Sequence, residues 1–350
     1  MEIYDVIIIG GGQSALAVGY YLRRTDFRYL ILDKEEKSGG SWQHYWQSLR
    51  LFSPATYSSL PGTIMPGGAD YYPSREDTLD YLRMYEEKYQ LAVQRPTYVE
   101  RVEKVKGLYQ LKTNQGEFRT KVVVSATGSF TKPFIPQVQG MENFEGDILH
   151  SAAYRSPEPF KDQRVIIVGE GNSGAQILAE VSQHAQTSWL TSIEPSFLPD
   201  DVDGRVLFDR ASTRYAAQKQ GESYRPPSLG DIVMVPPVKE ARERDVLKAK
   251  PTIEHFKKDG AVLQNGEFVK ADSVIFCTGF RPALEHLKPL NVIENNGRIL
   301  TKQTKALKIE GLWLVGYGSW TGFASATLIG VGRSARHTVQ EIERYLSAST

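Results

Sequence analysis

VIIIGGGQSALAVGYYL, residues 6–22, spells a strand, a tight turn and a helix in that order. An apolar run follows Tyr4 and Asp5 and stops at Gly10; Ala15, Leu16, Val18, Gly19 and Leu22 then recur at helical spacing. This is the grammar of a dinucleotide-binding turn. Gly10 permits the turn, Gly12 lets the backbone approach a pyrophosphate, and Ala15 keeps the helix close to the strand. The free amides at the helix start, Gln13 and Ser14 among them, point at the anion. The next strand, Tyr29 to Leu32, ends at Asp33 and Lys34, about twenty residues past the glycines, where a carboxylate can accept bonds from a ribose diol.

Residues 164–176, RVIIVGEGNSGAQ, repeat the pattern with Gly169, Gly171 and Gly174 in register. Asn172 and Ser173 lead into a helix expected from Ala175 to about Gln183. The strand after it, about Ser188 to Ser192, runs into Ile193 and Glu194, with no Arg placed to pair with a 2′-phosphate. A carboxylate there favours a free ribose. Two nucleotide cofactors on one polypeptide imply electron transfer between them. The expected fold class is α/β, with two Rossmann-like dinucleotide-binding domains, one inserted in the other. Residues 1–150 and 281–350 form the first and 151–280 the second. Val122 to Val124 followed by Ser125, Ala126, Thr127 and Gly128 reads as a buried strand ending in a glycine turn, and Val274 to Gly279 repeats it.

The chain has 350 residues, 41% of them hydrophobic, and a net charge of +1. That content can bury one large or two medium cores, and a balance so near neutral argues against nucleic acid or an anionic membrane as partner. The first strand begins within about five residues, leaving no room for a secretory signal, and no apolar run approaches the roughly 18 to 20 residues of a membrane span. The expectation is a soluble, cytoplasmic protein. A single cysteine, Cys277, cannot form the thiol pair of a disulfide reductase and reads as a small buried hydrophobe. The six histidines lack ligand spacing, so no metal site is expected. Asp200 to about Leu247 is irregular, with four prolines, and reads either as a wall of the cleft or as an excursion whose piece near Tyr215 packs on a partner subunit. A homodimer stays open on that account.

Between the two glycine loops runs FEGDILHSAAY, residues 144–154. Phe144, Gly146, His150 and Tyr154 resemble the F-x-G-x-x-x-H-x-x-x-Y/F fingerprint of flavin-containing monooxygenases and the related Baeyer–Villiger enzymes. Gly39, Gly40, Ser41 and Trp42 are similar to that family's G-G-x-W segment beside the flavin, and Ala126, Thr127 and Gly128 to its A-T-G linker. The resemblance covers essentially the whole chain and is strongest with short bacterial members that accept NADH as well as NADPH. It implies FAD on the first loop, NADH or NADPH on the second, and a small-molecule substrate oxygenated with dioxygen through a flavin peroxide. Soft nucleophiles such as thioethers (sulfoxidation) and amines, and ketones (Baeyer–Villiger oxidation), are the implied substrates.

Two positions depart from the family pattern. Phe52 stands where an Asn usually bonds nicotinamide and flavin peroxide, and Ile193 stands where an Arg usually takes the 2′-phosphate. Losing that Arg removes a contact worth about 1.5–3 kcal/mol, so NADH should compete at least evenly with NADPH. His150 is read as an orienting, hydrogen-bonding residue of the linker in preference to a catalytic base. Phe52 keeps alive a second reading, an NAD(P)H oxidase or reductase that makes hydrogen peroxide or reduces a carrier. A third is a nucleotide-binding redox sensor.

Overall fold

The computed structural model describes residues 2–200, 231–322 and 324–348. They form two compact units, one of residues 1–43, 54–132 and 281–350, the other of residues 44–53 and 133–280.

The first unit opens with β1 (Ile3–Ile9), α1 (Gln13–Leu22) and β2 (Tyr29–Leu32), continues through α2 (Arg75–Lys88), β3 (Val93–Gln94), β4 (Val99–Val105), β5 (Leu108–Thr113) and β6 (Gly116–Ser125), and finishes at the C-terminus. Val6, Ile7 and Ile8 are fully buried, which is why β1 reads as a continuous apolar run rather than an alternating one. It lies between two parallel neighbours, with Ile7 opposite Leu30 of β2 and Val123 of β6. The outer edge of β6 pairs, again in parallel, with Leu312–Leu314. β4 and β5 form an antiparallel hairpin attached to β6. The core gathers Ile7, Ile9, Val123, Leu312 and Leu314 with Tyr109 and Leu284. The C-terminal helix, Leu328–Ser347, starts at Thr327, whose hydroxyl accepts the Gly330 amide at 3.1 Å, and buries Val331, Ala335, Val339 and Ile342. A capping box holds the start of α2, with Ser74 Oγ accepting from the Asp77 amide and the Asp77 carboxylate from the Ser74 amide. Such a cap contributes about 1 kcal/mol.

The second unit contains β7 (Asp147–His150), β8 (Arg164–Val168), α3 (Asn172–Val181), β9 (Gln186–Thr191), β10 (Ala249–Pro251), β11 (Ile253–Lys257), β12 (Gly260–Leu263), β13 (Phe268–Lys270) and β14 (Ser273–Phe276). Its main sheet is wholly parallel in the order β10-β9-β8-β14-β7, and β11 to β13 form a separate antiparallel sheet. The two enclose one core, with Phe144, Ile166, Leu190, Phe256, Leu263 and Phe276 in contact.

The long stretch of this compact unit begins at 133, ahead of the break expected at 150, and residues 44–53, expected in the first domain, group with it. The cause is β7, whose Ile148 and Leu149 pair with Val274 and Ile275 and so make it the edge strand of the second sheet. The irregular reading of 200–247 also needs correction. Pro236 and Pro237 occupy the first two positions of a helix, Pro236–Glu243, where a missing N–H costs nothing. Arg244 then donates to the Ala179 carbonyl of α3 at 2.9 Å. The piece near Tyr215 lies outside the described residues.

Candidate dinucleotide sites

In the first unit three consecutive glycines answer to three different neighbours. Gly10 has φ +105°, and a Cβ there would stand 2.6 Å from the Ala126 carbonyl oxygen. Gly11 lies flat on Asp33, so a Cβ would overlap the carboxylate. Gly12 caps α1, and a Cβ on it would meet nothing nearer than Gly40 Cα at 3.9 Å. Open space at Gly12, beside a helix start with no side-chain cap and no acid in its first turn, is a cradle that could hold an anion.

The other residues expected on this loop are brought to it. Gly40, at φ +53°, is so close that its Cβ would lie 2.7 Å from Gly12 Cα. Trp42 donates its indole N–H to Gln13 Oε1 at 3.0 Å, while Gln13 Nε2 donates to the Ala326 carbonyl at 2.7 Å. The Gln13 amide therefore braces the 40–42 turn and the C-terminal segment together. Ser14 sits under Gly316, where a side chain would collide with its hydroxyl. Ser41 is half-buried in the short helical turn with Trp42. Asp33 is 2% exposed, with Oδ2 accepting from Arg95 Nε at 2.7 Å and Oδ1 from the Glu35 amide at 3.3 Å. Burial raises its carboxyl above the usual range against the pull of Arg95. Lys34 is exposed and pairs with Glu35 at 3.5 Å.

Ala126, Thr127 and Gly128 leave the end of β6 over Gly10, fixed by a chain of buried hydroxyls. Thr127 Oγ1 donates to the Ala283 carbonyl at 2.6 Å, so it can only accept from Tyr317 Oη at 2.7 Å. With its proton spent there, Tyr317 Oη accepts from Ser125 Oγ at 2.6 Å and from the Thr127 amide at 3.2 Å. Ser125 Oγ in turn accepts from His286 Nε2 at 3.1 Å. One order of hydrogens satisfies every member, and it makes His286 the Nε2–H tautomer. Burial pushes the His286 ring down to about 4, which keeps it neutral. Sequence reasoning reached Thr127 but missed Tyr317 and His286, because no local spacing marks them.

The second unit repeats the cradle. Gly169 has φ +132° and would bring a Cβ 2.5 Å from the Cys277 carbonyl oxygen. Gly171 caps α3 and has nothing within 4 Å of a Cβ. A side chain on Gly174 would strike the Gly169 carbonyl. Ser173 is half-buried in the first turn of α3. The Asn172 side chain is engaged at both ends, donating to the Asp231 carbonyl at 3.2 Å and accepting from the Val233 amide at 2.9 Å. Ser192, Ile193 and Glu194 lie exposed past β9, Ile193 at 66%.

His150, at the end of β7, donates from Nε2 to the Gly279 carbonyl at 2.9 Å and accepts the Ala152 amide on Nδ1 at 3.1 Å. Both nitrogens are committed to backbone within the second unit, and burial lowers its pKa. Phe52 is half-buried in the 44–53 segment of the same unit. Cys277 follows β14, half-buried as a residue, with its thiol driven up to about 12 by burial despite a hydrogen bond with Ser151.

Comparison with known proteins bears on these loops. The family model for pyridine nucleotide-disulphide oxidoreductases matches residues 7–203, from β1 through the second glycine loop and past β9. The flavin-containing monooxygenase from Stenotrophomonas maltophilia is 48% identical, over 99% of this chain and all of that one, with a TM-score of 0.91. The chain belongs to the flavin-containing monooxygenases. The oxidoreductase CzcO of Bacillus subtilis is 32% identical over 97% of this chain and 99% of its own, and the indole-3-pyruvate monooxygenase YUCCA8 of Oryza sativa is 26% identical over 96% and 90%. This flavin-containing monooxygenase is thus an oxidoreductase of α/β fold with two dinucleotide-binding domains, and its family implies FAD and a nicotinamide cofactor. The two open cradles fit such groups. The broader family's name includes disulfide reductases, but among the described residues the lone thiol, at about 12, has no second cysteine. No helix among the described residues is long and apolar enough to cross a membrane.

Proposed function

We propose that the chain is an FAD-dependent monooxygenase that draws on NADH or NADPH and dioxygen to oxygenate small soft nucleophiles, thioethers first, with ketones a second class. FAD belongs on the first loop, supplying when bound the reaction with dioxygen, and the nicotinamide cofactor on the second. The observation that carries this reading is the pair of empty Cβ positions, Gly12 and Gly171, each at the cap of a helix with free amides. Gln13 and Trp42 hold the turn that faces the first of these helix starts, and the Tyr317 chain holds Thr127 on the other side. His150 orients the Gly279 turn and takes no proton from substrate, since neither ring nitrogen is free.

A second reading rests on Phe52. A phenyl ring at that position offers no hydrogen bond to a reactive oxygen species, which favours loss of reducing equivalents as hydrogen peroxide. The two readings separate in one experiment. The purified yellow protein is reduced without oxygen by NADH or NADPH, then mixed with air and methyl phenyl sulfide. Bleaching by both cofactors followed by sulfoxide is the expected result. Peroxide without sulfoxide would replace the proposal by an oxidase, and absence of bleaching by a sensor.

A further inference from the structure

In a dinucleotide fold the residue at the end of the second strand, about twenty positions past the glycines, takes the adenosine ribose, and an acid there bonds the diol. In the second unit this place belongs to Ser192, which directly follows β9 and carries no charge. A carboxylate nevertheless stands there. Glu170, between Gly169 and Gly171 of the loop itself, accepts the Ser192 hydroxyl on Oε1 at 3.0 Å and the Ser192 amide on Oε2 at 3.3 Å. Each oxygen keeps a further lone pair. The side chain of Ile193, the next residue, offers no donor, and among the described residues no cation pairs with Glu170.

Resting on the reading of the second loop as the nicotinamide-cofactor site, we infer that Glu170 is its ribose-binding acid and the residue that sets its preference for an unphosphorylated adenine dinucleotide. The carboxylate comes from the glycine loop and is held at the strand end by Ser192. It accepts bonds from a free 2′,3′-diol and repels a 2′-phosphate, whose charge has the same sign. Sequence reading places this carboxylate on Glu194, which lies exposed two residues beyond Ser192; Glu170, bonded to Ser192 itself, sits where the fingerprint allows any residue and so carries no motif signal.

The test is isothermal titration of oxidised holoenzyme with NAD+ and with NADP+. In Glu170→Gln, the ratio of the NADP+ to the NAD+ dissociation constant should fall by about tenfold or more, through weaker NAD+ and stronger NADP+ binding. Ser192→Ala should weaken NAD+ while leaving the carboxylate to repel NADP+, so its ratio falls less. Retained FAD absorbance shows that each variant is folded. An unchanged ratio in Glu170→Gln with intact wild-type binding would overturn the assignment alone. Wild-type protein that binds neither dinucleotide would overturn the reading of the second loop, and the assignment with it.

Discussion

Tyr317 Oη lies 2.7 Å from Thr127 Oγ1, and through that contact a residue near the C-terminus fixes the turn that covers Gly10. Tyr317 is the middle of a chain in which every hydrogen has one place. Tyr317→Phe leaves the Ser125 hydroxyl and the Thr127 amide without an acceptor and Thr127 Oγ1 without its donor. A stability loss of about 1–3 kcal/mol is expected, with faster release of FAD. Thermal melts of apo and FAD-loaded protein, with flavin fluorescence as the readout of release, check both; equal FAD retention in the variant would refute the second part.

Adjacent glycines should give opposite phenotypes. Gly12→Ala meets open space, so the apoprotein should melt as wild type while FAD retention falls sharply. Gly10→Ala combines a positive φ with a contact on the Ala126 carbonyl, and should lower apoprotein stability by more than 1 kcal/mol. Denaturant unfolding without cofactor distinguishes the two.

His286 is neutral in the fold down to about pH 4, whereas a free imidazole takes up a proton near 6.5. The unfolded chain therefore binds more protons below 6.5, and the contribution of the neutral ring, fully present above that pH, is lost as pH falls towards 4. The loss amounts to about 3 kcal/mol at most. His286→Asn, which keeps an N–H for Ser125, should flatten the unfolding free energy between pH 6.5 and 4.5 relative to wild type. Parallel slopes for the two proteins would count against it.

Cys277 should behave as an inert thiol. With its pKa at about 12, the thiolate fraction at pH 8 is negligible, so native protein should react with iodoacetamide orders of magnitude more slowly than denatured protein. Cys277→Ala should bleach with NADH to the same extent as the unaltered protein. Loss of flavin reduction in that variant would reopen a thiol mechanism.

Where the chain spells its structure locally, sequence reading reaches it. β2 and β8 begin and end at the residues that their apolar runs mark, Tyr29–Leu32 and Arg164–Val168. α1 and α3 start earlier than their apolar periodicity suggests, at Gln13 and Asn172, because the first turn of a glycine-capped helix is polar and carries no periodic signal. β6 extends back to Gly116 because its first half pairs with β5 at the sheet margin, where Glu117 and Arg119 are tolerated. Two prolines that punctuate in most contexts begin a helix at 236. Partnerships across long separations leave no local trace: Tyr317 with Ser125, His150 with Gly279, and Gly11 with the Asp33 carboxylate that any side chain would evict.

The pairing of β6 with Leu312–Leu314 has a consequence for biosynthesis. The first unit is assembled from three separate stretches of chain, and its last stretch leaves the ribosome after the whole of the second unit has been made. Until residue 314 emerges, the Val123–Ser125 end of β6 keeps one edge of unpaired N–H and C=O groups, the kind of edge on which nascent chains aggregate. A chain cut after 280 would carry both glycine loops intact and still lack the strand that pairs with the end of β6.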